Sequence, residues 1–131
     1  MKLSRVLFHL GLVFLLAGCG CGGNEDAIRA MRALPKERLA ELYQYIQSVD
    51  ARRKNLDPII MDFPRNPVPR KISDLNPKFL RVWDGKAYIH ISGCFDDKID
   101  LHFQGLNSPG RKKKISLTLG DHKGSETLWE Q

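Results

Sequence analysis

Phe79-Leu80-Arg81-Val82-Trp83-Asp84-Gly85-Lys86-Ala87-Tyr88-Ile89-His90-Ile91-Ser92 is the stretch that decides the fold. Two runs of alternating apolar and polar residues flank Asp84-Gly85, the strongest short-range signal for a hairpin turn. A two-residue loop pairs Trp83 with Lys86, so Val82 meets Ala87 and Leu80 meets Ile89. Arg81–Tyr88 and Phe79–His90 then fall on the opposite face. Turn chemistry and side-chain period agree, as a two-stranded antiparallel unit requires.

The pattern continues toward the C-terminus. Ile99, Leu101 and Phe103 alternate with Asp100, His102 and Gln104. To stay on the face of Ile89 and Ile91, this strand needs an odd-length loop or a bulge near Gly93 to Lys98. One such register sets Ile91 opposite Leu101 and His90 opposite His102. Pro109-Gly110 marks the next turn, Ile115, Leu117 and Leu119 form a third alternating run, and a short strand around Glu126 to Glu130 returns after Gly120 to Gly124.

Toward the N-terminus the period changes from two to about 3.6. Asn24 is suited to cap a helix, with Glu25 and Asp26 on its first turn. Ala27, Ile28, Met31 and Leu34 recur at helical spacing until Pro35 breaks the pattern and opens a second helix. Leu39, Leu42, Tyr43, Ile46 and Val49 form the apolar stripe of that longer helix, which ends near Asp50 to Arg53. Lys36, Glu37, Arg38, Glu41 and Gln44 lie on its other side. Pro58, Pro64, Pro67 and Pro69 exclude a helix or a central strand between them. Residues 51–72 therefore read as an extended connection anchored by Ile59, Ile60, Met61 and Phe63, and Ile72 to Pro77 as a turn or one helical turn. Helices followed by strands on short loops define an α+β domain. The expected architecture is one short and one long amphipathic helix packed on an antiparallel meander of four to five strands. Leu80, Val82, Ile89, Ile91, Ile99, Leu101, Phe103, Ile115, Leu117 and Leu119 face the helix, and Arg81, Tyr88, His90, Asp100, His102 and Gln104 face away.

Ahead of this domain, Lys2 and Arg5 supply a positive start, and Val6 to Leu16 form a run of 11 residues that is apolar apart from His9. A charged start, an apolar stretch of this length and a small-residue exit describe an export signal, whereas a spanning helix needs about 20 apolar residues. Leu16-Ala17-Gly18-Cys19 resembles the lipobox of bacterial lipoproteins. That resemblance covers about the first 19 residues. It implies cleavage between Gly18 and Cys19, lipidation of Cys19, and two or three acyl chains such as palmitate; two or more hold a protein to a bilayer stably. Gly20, in the place of an aspartate, resembles the default routing of Gram-negative members to the outer membrane, facing the periplasm. The helix-then-meander pattern is itself similar to small bacterial lipoproteins without assigned activity. The expected organisation is a signal peptide over residues 1–18, a lipidated Gly-rich tether over 19–24, and one domain over 25–131. A tether from Gly20 to Asn24 spans about 18 Å at most when fully extended, which keeps the domain beside the membrane.

Removing the leader takes Lys2 and Arg5 away, so the formal charge falls from +6 to +4. An exported basic protein meets anionic lipid, anionic glycans and acidic proteins rather than nucleic acid. Of three cysteines, Cys19 is committed to lipid. A Cys21–Cys94 disulfide is allowed in an exported compartment, and a free buried Cys94 is an equal alternative.

The chemistry-bearing residues are few. His90, His102, Asp96, Asp97, Asp100 and Cys94 surround one hairpin and would suit a metal if their atoms converged, though the spacing matches no ligand motif. Asp96-Asp97 is also ordinary turn chemistry. Ser92-Gly93 lacks the setting of a nucleophile elbow, and no catalytic spacing stands out. Arg111-Lys112-Lys113-Lys114 reads either as a contact for anionic lipid or glycan, or as a solvated loop. Phe79, Trp83 and Tyr88 with Arg81 have the composition of a contact surface, unless the proline-rich segment covers them. The sequence thus leads to a lipid-anchored, non-catalytic binding or accessory module of the cell envelope, without metal or cofactor, that contacts an envelope protein or an anionic glycan or lipid through Arg81, Tyr88, His90 and His102. The alternatives are an immunity-type inhibitor of an envelope-acting toxin and a small metal-binding protein or hydrolase using His90 and His102.

Overall fold

The computed structural model describes residues 24–63, 65–93, 97–120 and 124–131. Gly18, Cys19, Cys21 and Cys94 lie outside the described residues, and with them the expected leader, the expected lipid attachment and the alternatives of a Cys21–Cys94 disulfide or a free Cys94; Asp96 lies outside them too. Among the described residues two helices, α1 (Asn24–Arg32) and α2 (Lys36–Ala51), precede a sheet of six antiparallel strands. The strands are β1 (Ile59–Asp62), β2 (Phe79–Trp83), β3 (Lys86–Ser92), β4 (Ile99–Gln104), β5 (Lys114–Leu119) and β6 (Ser125–Glu130). They lie in the sheet in chain order. A 3-10 helix over Arg70–Leu75 joins β1 to β2. The α+β class is as expected, with six strands in place of four to five.

The additional strand is β1, which by sequence reads as an extended connection. Ile59 pairs with Val82 and Met61 with Leu80. Proline removes a ladder donor and is confined to sheet edges. In the sequence Pro58 and Pro64 bracket these four residues rather than interrupt them, and β1 takes an outer position.

The β2–β3 hairpin has the expected register throughout, from Trp83–Lys86 to Phe79–His90. Asp84 and Gly85 both have positive φ, 37° and 72°, which a two-residue turn of this hand demands. The β3–β4 register differs from expectation. Ile89, not Ile91, faces Leu101; Tyr88 faces His102; and His90 faces Asp100 rather than His102. The irregularity lies between His90 and Ser92, inside the strand, instead of in the loop after it. A two-residue slip leaves every side chain on its own face, so hydrophobic alternation cannot distinguish the two registers.

Both helices lie on one face of the sheet. Leu39, Leu42, Tyr43, Ile46 and Val49 of α2 and Met31 of α1 share a core with Leu80, Val82, Ile89, Leu101, Phe103, Ile115 and Leu117. Tyr43 is buried and its hydroxyl donates to the Gln104 carbonyl at 2.7 Å. Burial, with the Asp50 carboxylate adding to it, pushes that phenol up to about 12. At the end of α2 the buried Asp50 carboxylate accepts from Arg53 Nε at 2.8 Å and from Asn107 Nδ2 at 3.0 Å. This pins the helix to the loop between β4 and β5. Asn24, expected as a helix cap, spends its side-chain amide on tertiary contacts. Its Nδ2 donates to the Asp97 carbonyl at 2.8 Å, and its Oδ1 accepts from Ser92 Oγ at 2.9 Å. The proline-rich segment runs to the helix side: Ile72 and Leu75 enter the core, and Arg38 Nη2 holds Asp74 at 2.6 Å. That contact draws the Asp74 carboxyl below its ordinary value.

Candidate binding face

With the helices on one side, the other side of the sheet, built by the alternate residues of each strand, is an open face among the described residues. One row across it runs Asp62, Phe79, His90, Asp100 and Thr118. The next runs Ile60, Arg81, Tyr88, His102 and Ser116. Arg81, Tyr88, His90 and His102, the four residues expected to form a contact surface, therefore share one face. Tyr88 is central. Its ring stacks on Phe79 (centroids 5.8 Å apart) and on His102 (5.7 Å), and meets Trp83 edge-on at 5.6 Å. Arg81 lays its guanidinium over Trp83, with Cζ 4.9 Å from the ring centroid. In that position Arg81 Nε is buried and makes no hydrogen bond among the described residues.

The observed register gives each histidine a different environment. His90 Nδ1 lies 2.7 Å from Asp100 Oδ1, with both side chains largely covered. When Nδ1 carries the proton to Asp100, Nε2 is left as an acceptor, the usual consequence of a carboxylate-oriented imidazole. His102, packed against Tyr88, has its basicity lowered by burial, with Asp100 opposing the shift. The two histidines do not oppose one another, and among the described residues no three His, Cys, Asp or Glu side chains form a group able to hold a metal ion.

Beside His90 the face sinks into a depression of about 440 Å³, within the usual range of small-ligand sites, about 300–1,000 Å³. Phe79 and Tyr88 form its apolar wall, and Asp62, Phe63, Lys78, His90, Lys98 and Asp100 complete it. The sequence pattern does not single out Lys78, Lys98, Asp62 or Phe63 for such a site. Lys78 and Lys98 each stand one residue before a strand, where alternation has not begun, and Asp62 needs β1 in the sheet to arrive there. The basic loop before β5 lies elsewhere. Lys112 pairs with Glu130 at 3.0 Å and lowers that carboxyl's pKa.

The fold is thus a two-layer α+β domain with a helix-covered face and an open face of aromatic and titratable residues. Compared with protein-family models, curated proteins and solved structures, the chain matches none. Among the described residues no helix is long and apolar enough to cross a membrane.

Proposed function

We propose that this chain is a lipid-anchored protein of the bacterial envelope, and that its open sheet face binds another envelope component close to the membrane. The observation that carries the binding assignment is the cluster of Phe79, Trp83, Tyr88 and His102 with Arg81 on a face that carries neither helix. Aromatic side chains and arginine are enriched where proteins make contacts, because the rings bury large area at low entropic cost and the planar guanidinium stacks on them while keeping its donors. The localisation rests on the charged, apolar and small-residue sequence that ends in Cys19. Gly20 supports placement at the outer membrane.

Two measurements on the full chain in bacterial cells test this reading. With an alkyne-tagged palmitate, the wild type is expected to become labelled and to sediment with membranes, and Cys19→Ala to lose both properties. A labelled Cys19→Ala variant would remove the lipoprotein assignment. With a photoreactive side chain at position 86 on the same face, a discrete crosslinked product is expected, lost in the Arg81→Ala, Tyr88→Ala double variant. Crosslinking unchanged by that double variant would remove the open face from the function.

A second reading, a hydrolase built on His90, draws on the His90–Asp100 contact, an arrangement that orients an imidazole as a base. His102, the other histidine of that reading, lies opposite Tyr88 rather than His90. Turnover of an envelope substrate, abolished by His90→Gln with partner capture retained, would replace the non-catalytic assignment.

A further inference from the structure

We propose that the depression beside His90 is a saccharide subsite that takes a pyranose ring carrying a carboxylate. The inference rests on the open face being a binding surface and names the ligand chemistry that this depression fits. Four properties of the lining bear on the choice. Phe79 and Tyr88 line it with apolar ring surface, against which the C–H face of a sugar can pack. Lys78 and Lys98 stand at the rim, both exposed, and neither makes an ion pair or side-chain hydrogen bond among the described residues. Among those residues the Asp62 carboxylate is held by Arg65 alone, at 3.9 Å, so it retains capacity to accept hydroxyl donors. His90 is fixed in orientation by Asp100.

Each simpler ligand fails against one of these. A bare inorganic anion would meet the two lysines but leave the ring wall and the acceptor capacity of Asp62 unused. A hydrocarbon chain would cover the rings and desolvate charged groups without pairing them, which is costly. A neutral sugar would stack and hydrogen-bond but leave both ammonium groups unanswered. An acidic pyranose supplies hydroxyl donors to Asp62, an anion to Lys78 and Lys98, and an apolar face to Phe79 and Tyr88. The mixed signs of the lining then become complementary rather than contradictory.

The test uses the full chain in detergent micelles, with a disaccharide ending in glucuronate, its neutral glucose counterpart, and inorganic phosphate. Calorimetry is expected to show the acidic disaccharide binding at least tenfold more tightly than the neutral one, with phosphate failing to compete at equal concentration. Saturation-transfer NMR is expected to place the sugar's C–H protons, rather than its carboxylate end, against aromatic protons. Lys78→Ala with Lys98→Ala should remove the preference for the acidic sugar while leaving the melting temperature unchanged, since both side chains are exposed. Phe79→Leu should weaken acidic and neutral sugars alike. Equal binding of the two sugars, full competition by phosphate, or an unchanged preference in the double lysine variant would each overturn the proposal. If no sugar binds while the crosslink that depends on Arg81 and Tyr88 persists, the saccharide subsite fails and the binding face stands. If the crosslink also survives the double variant, both fall.

Discussion

The two faces of the sheet are made by the same six strands and have opposite characters. On the covered face Leu80, Val82, Ile89, Leu101, Phe103, Ile115 and Leu117 have no measurable exposure. On the open face Phe79, Arg81, Trp83, Tyr88, His90, Asp100 and His102 are each half-buried, shielded by one another rather than by a helix. The first face is closed by the stripe of α2 together with Met31 of α1, and its own residues are hydrocarbon side chains that make no polar contacts. The second is assembled from specific pairs: Tyr88 on Phe79 and His102, Arg81 on Trp83, His90 with Asp100. Stability is concentrated on one side and chemical individuality on the other. The outermost strand also shows the contrast. Ile59 and Met61 pack against the core, while Ile60, between them, is 54% exposed.

Three substitutions would break or sharpen that contrast. Leu101→Ala on the covered face removes a side chain buried at the centre of the sheet, and should cost about 2–5 kcal/mol, from transfer and cavity together. Chemical denaturation at constant m-value would read it; a loss under about 1 kcal/mol, below the range for a buried leucine, would mean that the face is not packed as described. Tyr88→Ala on the open face removes three ring contacts but no core packing, and is expected to cost about 1–2 kcal/mol. A cost equal to that of Leu101→Ala would show that the open face is a second core and not a surface. The smallest effect concerns pH. His102 is less basic in the folded chain than its ordinary 6.5, because burial disfavours the imidazolium. The unfolded chain therefore takes the proton first as pH falls. Stability from this group is full above about 6.5, declines below it, and levels off once the folded-state value is passed. His102→Gln should flatten that part of the profile, read as the difference in melting temperature between variant and wild type at pH steps spanning the ordinary value of 6.5. A constant difference across those steps would contradict the burial of this ring.

The face assignments are legible in the sequence because alternation of period two is a local property, and Asp84-Gly85 locates the turn that anchors it. That alternation alone puts Arg81, Tyr88, His90 and His102 on one side of the sheet. Their pairing is not legible. Whether His90 meets His102 or Asp100 turns on a bulge at Ile91, and both registers keep the same residues buried. β1 is hidden for a related reason: flanking prolines mark both a linker and an edge strand, and four residues are too few for a period to show. Lys78, Lys98 and Asp62 come together only once the strands that carry them lie side by side.

The sequence by itself determined that helices precede strands and which side of each element is apolar. These depend on residue order over short distances, where turn chemistry, helical spacing and composition act alone. Only the tertiary structure decided the sixth strand, the partner of each histidine, and the depression lined by residues from β1, β2, β3 and β4 with their flanking lysines. Those depend on how far one strand slides along another. The hydrophobic effect sets which face is buried and is indifferent to slides of two residues, so the bulge and the individual polar contacts settle the rest.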